Sequence, residues 1–475
     1  MRIRIIAITA AVVAQTAAAR PPNIVIFYAD DMGIGDVGCY GCQDIRTPNI
    51  DALARSGVRF TNYYSAAPIC SPSRAALLTG RYPARAGVPT NVSSQPGAVG
   101  MPADEFTLAE LARTRGYATA LIGKWHLGFT PQTDPNAQGF DFFFGHHAGC
   151  IDYYSHWFYW QDPPHHDLYR NRDEVYEEGR YMTDLIVREA AEFIDGKKGS
   201  PFLLYVPFNA PHYPTQAPER LRKLYAHLPA PRNQYAPLVA GLDEAIGTIL
   251  SRLRDAGLER DTLVFFASDN GPSVEARNNY GGGSSGPYRG YKSSLYEGGI
   301  RMPAIISRPG TLPAGETRDQ LVMATDVFPT IAEAIGAAPP ADRKIDGRSW
   351  MPLLKDRNAP GHETLFWMQN GQKAVRHGRW KLVVNGQEDR PGPPPAGQPD
   401  AKPAGGRGKA AARQPAQEKP PAAGAGDKEV TVFLADIEGD PGETKNLRNQ
   451  HPDIVDRLMK LHDAWRADVT QTKDR

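Results

Sequence analysis

The chain reads as an α/β protein, a sheet of buried strands covered by helices, and three features predict it. Continuous apolar, β-prone runs at Asn23–Ala29, 202–206 and 262–267 suit strands buried on both faces. Stretches 107–115, 181–194 and 235–256 carry apolar residues at three- and four-residue intervals, the period of a helix with one buried face. Polar residues then recur just past the strand ends: Asp30-Asp31 after the first run, His212 beyond the second and Asp269-Asn270 after the third. Strands alternating with helices argue for one sheet with helices on its faces. In such sheets ligands bind outside the carboxyl ends of the strands, so residues distant in sequence can meet at that edge.

Length sets the next expectation. A chain of 475 residues can bury one large core or two unequal ones, since cores stop growing near ~250–300 residues, and a large domain over 20–365 with a smaller one over 366–475 is expected. With 54 Lys+Arg against 53 Asp+Glu the net charge is +1, which argues against a nucleic-acid surface and leaves any anion recognition to local charges. At the N-terminus, Arg2 and Arg4 precede an apolar run from 5 to 14 and then Ala17-Ala18-Ala19, the order of a signal peptide over 1–19. The run is shorter than the ~20 residues that span a bilayer, so a periplasmic or secreted protein without a membrane anchor is expected. Four cysteines in a chain of this size make no disulfide framework, and Cys39 and Cys42 lack the second ligand pair of a zinc site.

The elements of the smaller domain are also legible. Residues 385–428 are rich in Pro, Gly, Ala and Lys with almost no large apolar side chains, the composition of a disordered insert. They separate two strand-like runs, 380–384 and 430–434, that could pair as a hairpin. A helical pattern over 452–469 closes this smaller α+β domain.

The chemistry concentrates in one segment, Cys70-Ser71-Pro72-Ser73-Arg74, followed by Thr79-Gly80-Arg81. Pro72 and the alanines behind it favour a helix that starts at Cys70, whose N-terminal amides and positive dipole end attract an anion. Arg74 adds fixed charge beside it. This segment resembles the signature of the type I, formylglycine-dependent sulfatases, in which C-x-P-x-R and T-G-R are read by a maturation enzyme that oxidises the cysteine before the chain folds. The resemblance runs in order from Asn23 to about Leu447. It implies an alkaline-phosphatase-like mixed sheet sandwiched by helices, a Ca²⁺ ion and Cys70 converted to formylglycine (3-oxoalanine).

The same resemblance distributes roles. Asp30, Asp31, Asp269 and Asn270, with residue 70, form the implied metal set, and their hard oxygens are what Ca²⁺ takes. Lys124 and His126, in Gly123-Lys124-Trp125-His126, match positions that contact sulfate and the hydrated aldehyde. His212 and Lys292 match positions near the leaving oxygen. A hydrated aldehyde offers one hydroxyl to attack sulfur, with Asp269 as the expected base, and a second to expel sulfate, with His126 taking its proton. A sugar alkoxide leaves poorly without a proton, which His212 is expected to give, assisted by Lys292.

Substrate is less sharply written. Asp152-Tyr153-Tyr154-Ser155-His156 and the stretch Asn278-Asn279-Tyr280 through Arg289-Gly290-Tyr291-Lys292 resemble the arylsulfatase B branch, the N-acetylgalactosamine-4-sulfatases. Asp152, His156 and Arg289 are therefore candidate substrate-binding residues, and the aromatic loop 153–160 is a candidate platform for a sugar ring. The expected reaction is exo-acting removal of sulfate from a galactosamine- or galactose-type glycan. Two other readings fit the same residues: a phosphate or phosphonate ester hydrolase of the same superfamily, and a glycan-binding protein in which Cys70 stays unmodified.

Overall fold

The computed structural model describes residues 21–275, 278, 280–387 and 430–471. The expected signal peptide over 1–19, most of the insert at 385–428, and Asn279 lie outside them.

The strand Asn23–Ala29 forms as its apolar run predicts and sits inside a ten-stranded mixed sheet. Its side chains alternate between two cores, as the two-residue period of a strand requires. Ile24, Ile26 and Tyr28 enter one, and Val25, Phe27 and Ala29 enter the other. The neighbouring strands Phe202–Pro207 and Thr262–Ser268 pair with it in parallel, one on each side, and divide their side chains the same way. Strands Ala118–Lys124 and Phe142–His146 extend the parallel block beyond Phe202–Pro207. On the other side Ala304–Ser307 turns antiparallel and leads through Val58–Phe60 to the edge strand Glu316–Arg318.

Helices cover both faces. Cys70–Thr79, Leu108–Arg113 and Val327–Ile335 contribute to the first core. Pro48–Arg55, Met182–Gly196, Glu219–Tyr225 and Arg232–Asp255 contribute to the second. The helix Cys70–Thr79 is buried at every position, so it has no polar face. It ends at Gly80, whose φ of 70° is the left-handed conformation that closes helices at little cost only in glycine.

A four-stranded antiparallel sheet, Thr364–Gln369, Gln372–His377, Trp380–Val384 and Val432–Asp436, forms the smaller C-terminal unit. The two runs expected to pair do so, with Val384 opposite Val432 and Trp380 opposite Asp436. The second strand begins at Val432 rather than 430, because the exposed Val430 has no core to enter. One face, through Val375, Leu382 and Leu434, packs under the helix Pro452–Val469. The other, through Leu365, Trp367, Val383 and Phe433, joins the first core of the large sheet.

Candidate active site

Parallel pairing brings the three polar strand ends together. Ala29 is in register with Ser268, so Asp30 and Asp31 leave the first strand beside Asp269 and Asn270 leaving the other. The Asp31 amide donates to Asp269 Oδ1 at 3.1 Å, and Asn270 Nδ2 donates to Asp31 Oδ1 at 2.7 Å. All four residues are fully or almost fully buried. The end of Ala118–Lys124, one strand beyond Phe202–Pro207, supplies Lys124, whose ammonium donates to Asp30 Oδ2 at 2.7 Å. Here Gly123 is required, since a Cβ would stand 2.0 Å from the Pro207 carbonyl oxygen.

The helix that begins at Cys70 aims its first residue at this cluster. Cys70 Sγ lies 3.7 Å from Asp30 Oδ1, and one ligand atom each of Asp30, Asp31, Cys70 and His212 falls within 4.8 Å of the others. One turn on, Arg74 donates to Asp269 Oδ2 at 2.8 Å and lies 3.3 Å from Asp30 Oδ1. The expectation that the helix amides stand open for an anion needs one correction. The Ser71 amide is taken by Asn91 Oδ1 at 3.0 Å, a bond that ties the loop around Asn91 over the helix start.

Two histidines and a lysine complete the centre. Lys292 donates to Asp31 Oδ2 at 2.8 Å and lies 3.2 Å from His212 Nε2. His212 Nδ1 is 2.7 Å from the Tyr213 carbonyl oxygen, which can only accept, so Nδ1 carries the hydrogen and the Nε2 lone pair is the acceptor beside the Lys292 ammonium. By the same argument His126 donates through Nε2 to the Val92 carbonyl oxygen at 3.1 Å, leaving Nδ1 bare, buried and unpartnered. Asp31, His126 and Ser293, next to Lys292, all have left-handed backbones, with φ of 63°, 55° and 73°. Such conformations cost about 1–3 kcal/mol each and persist where surrounding structure holds them.

Charge in the cluster is unevenly settled. Against the desolvation of complete burial, Lys124, His212, Arg74 and Lys292 hold the Asp30 carboxyl well below the usual carboxylate range. Burial pushes Asp269 up, the nearby Asp30 adding to it, and burial raises Asp31 as well. Burial also pushes the Cys70 thiol up to about 12, and holds His126 and His212 well below the usual imidazole range, with Lys124 and Lys292 reinforcing it. Carboxylates raised in this way mark a place where added positive charge is favourable. Asn270 Oδ1 is buried there without a partner. A hard divalent cation fits this donor set of carboxylate and amide oxygens.

A cavity of about 420 Å³ opens over Cys70. Of the residues expected to carry chemistry, Cys70, His126, His212 and Lys292 line it, while Arg74 and Lys124 lie behind the carboxylates. Phe158 and Trp160 of the expected aromatic loop also line it, with Tyr213 between them and His212. The three candidate substrate contacts do not reach it. Asp152 accepts the amides of Tyr154 and Ser155 and the Gln216 side chain, so it braces its own loop. His156 is fully buried against the Arg180 carbonyl. Arg289 stacks on Tyr296 and Phe433 and donates to the Glu443 carbonyl. In their place the lining includes Asn91, Ser93, Ser94, Gln161 and Glu275, none of which the sequence singled out.

Fold and site together define an α/β enzyme with a buried carboxylate and cation centre at the carboxyl edge of parallel strands, open to a polar cavity. The sulfatase family model matches residues 22–337, and the chain belongs to that family. It is thus a sulfuric ester hydrolase. The chain is similar to N-acetylgalactosamine-6-sulfatase of Canis lupus familiaris, 36% identical over 79% of this chain and 74% of the relative. It is also similar to steryl-sulfatase of Homo sapiens, 34% identical over 76% and 75%. Among solved structures, Ps i-CgsB in complex with k-i-k-neocarrahexaose superposes with a TM-score of 0.79 and 29% identity, covering 96% of this chain and 94% of that one. PsFucS1 sulfatase from Pseudoalteromonas sp. gives 0.76 and 25%, covering 96% and 91%. The phosphonate monoester hydrolase of Agrobacterium radiobacter, at 0.62 and 20%, shares the fold. These relatives do not single out the 4-sulfatase branch. Among the described residues, no helix is long and apolar enough to cross a membrane.

Proposed function

We propose that this enzyme removes sulfate from a sulfated glycan, using formylglycine at position 70 and a Ca²⁺ ion held by Asp30, Asp31, Asp269 and Asn270. The observation that carries the reading is the placement of residue 70. It stands at the first position of a buried helix, within ligand reach of Asp30, Asp31 and His212, and at the floor of the cavity. A thiol raised to about 12 is protonated at neutral pH and is a poor nucleophile, which supports oxidation by a maturation enzyme over direct use of the cysteine. The hydrated aldehyde supplies one hydroxyl for attack on sulfur and another for expelling sulfate, and the cation, when bound, offsets charge on the sulfate oxygens.

The chain's own groups then divide the work. Arg74 and Lys124 hold Asp269 and Asp30 in place and offset their charge. His126 Nδ1, bare and at the cavity, accepts the proton of the hydroxyl that expels sulfate. Lys292 and His212 Nε2 form a pair that delivers a proton to the leaving oxygen, with the ammonium as its charged member at rest. A sugar alkoxide needs that proton far more than a phenolate does.

For the substrate, the aromatic wall of Phe158, Trp160 and Tyr213 beside polar Ser94, Gln161 and Glu275 is the mixed lining that holds a sugar ring. The glycan named in the Ps i-CgsB complex and the aminosugar named in the 6-sulfatases point the same way. Export to the periplasm or beyond fits the arginine and apolar order of the N-terminus. Matured enzyme should hydrolyse aryl sulfate in strong preference to aryl phosphate and release sulfate from at least one member of a panel of defined sulfated oligosaccharides. Preference for the phosphate would reassign the reaction, and inertness on every glycan would remove the substrate class.

A further inference from the structure

Lys292 carries the proposed proton, yet residues 281–296 around it contain neither helix nor strand. Regular backbone bonding therefore does not fix where its ammonium stands. The Lys292 amide donates to the Pro272 carbonyl at 3.1 Å and its ammonium to Asp31, and a further restraint stands one residue later. Ser293 adopts the left-handed backbone, and both of its peptide groups are tied to other parts of the molecule. Its N–H donates at 2.8 Å to the carbonyl of Pro68, two residues before Cys70. Its carbonyl accepts at 2.7 Å from Nε2 of Gln372, the first residue of the C-terminal strand Gln372–His377.

Gln372 is buried, and both ends of its amide are used. While Nε2 holds Ser293, Oε1 accepts the Leu295 amide at 3.3 Å and the Gln387 amide, just past the strand Trp380–Val384, at 3.0 Å. One side chain thus clamps the lysine loop on both sides of Ser294 and anchors it to two strands of the smaller sheet. Ser294 Oγ adds a bond to the Gln387 carbonyl at 3.0 Å. A residue in left-handed backbone relaxes when its restraints are cut, and small displacements of a reacting group are costly to catalysis.

We infer that Gln372 is a positioning residue of the sulfatase reaction, holding Lys292 through Ser293 so that the C-terminal sheet sets the geometry of proton delivery to the leaving oxygen. The inference rests on the role proposed for Lys292. It differs from a purely structural part for Gln372, because proton delivery matters in proportion to the basicity of the leaving group.

The test compares turnover of an aryl sulfate with an acidic phenol and of a sugar or alkyl sulfate, in matured wild type, Gln372→Met, Gln372→Glu and Lys292→Ala. Gln372→Met keeps the length and loses both ends of the clamp. Gln372→Glu keeps an acceptor for Leu295 and Gln387, replaces the donor to Ser293 by a carboxylate oxygen and adds a buried negative charge. Melting temperature and aldehyde content at residue 70 are measured on every variant. Both Gln372 variants should lose about 30-fold or more in kcat on the alkyl sulfate and only about threefold on the aryl sulfate, with KM little changed, the size expected when a reacting group is misplaced. Lys292→Ala should show the same split, more steeply. Equal losses on both substrates in folded, fully matured Gln372 variants, while Lys292→Ala splits them, would overturn this inference alone. Failure of Lys292→Ala to split them would overturn the role of the lysine beneath it.

Discussion

Cys70 is the residue on which the proposed reaction depends, and its surroundings say what its loss should do. The side chain packs at the start of a helix whose remaining positions are buried without it. Cys70→Ala should therefore abolish sulfate release while leaving the melting temperature within a few degrees of wild type, read by thermal denaturation beside an activity assay. Asp269 sits between Arg74 and the Asp31 amide, and Asp269→Asn removes one negative charge from the oxygens offered to the cation. Calcium affinity should fall by about tenfold or more, with turnover falling alongside it, measured by metal titration of the apo enzyme. Unchanged affinity would remove Asp269 from the metal set. At this scale the sequence was informative through the resemblance carried by Cys70-Ser71-Pro72-Ser73-Arg74 with Thr79-Gly80-Arg81, and through the joint occurrence of Asp30-Asp31 and Asp269-Asn270 after two buried strands. It misled at Asp152, His156 and Arg289, which sit beside cavity residues in sequence but are turned to backbone carbonyls, loop amides and aromatic rings. Asn91, Ser94 and Glu275 carried no signal, because polar residues in a turn look alike whether or not a cavity lies above them.

Among elements, the helix Cys70–Thr79 decides how well the proposed nucleophile position is held. Its C-terminal end depends on Gly80, in left-handed backbone with Phe328 Cβ 2.9 Å from where a Cβ would stand. Gly80→Ala adds backbone strain and that close contact, and should destabilise the fold by about 1–2 kcal/mol in denaturant titration. The helices expected from periodicity appear as Leu108–Arg113, Met182–Gly196 and Arg232–Asp255, with ends shifted by a few residues. The helix at Cys70 has no apolar period because every face is covered, so alanine content and Pro72 were its only signals. The short strands near the two ends of the sheet, such as Val58–Phe60 and Tyr169–Arg170, were not legible either: two or three residues are too few to show alternation.

Across the whole molecule, the smaller sheet meets the catalytic half through a buried ionic cluster. Lys381 on the strand Trp380–Val384 lies 2.8 Å from Glu297 and 3.0 Å from Glu443, all three buried. Arg301 joins Glu297 at 3.1 Å. Lys381→Met would leave two buried carboxylates short of a cation and should cost about 3–5 kcal/mol of stability, measured by denaturant titration. The loss should be smaller at acid pH. Burial raises Glu443 to about 7, which Lys381 opposes, and removing that cation favours its neutral form further. Wild-type stability in this variant would show that the two halves are joined by apolar packing alone. This joint was invisible in the sequence, where Glu297, Lys381 and Glu443 are ordinary surface residue types widely separated along the chain. What the sequence did carry was the three buried strands at 23–29, 202–206 and 262–267, because runs buried on both faces are rare outside parallel sheets.

The account turns on an aldehyde at position 70, and trapping it is the most direct measurement. Protein produced with a maturation enzyme should react with an aminooxy probe at residue 70, seen in the mass of the peptide spanning Cys70 to Arg74, and lose sulfate release in step with labelling. Undiminished sulfate release from protein whose residue 70 is an intact cysteine would contradict it.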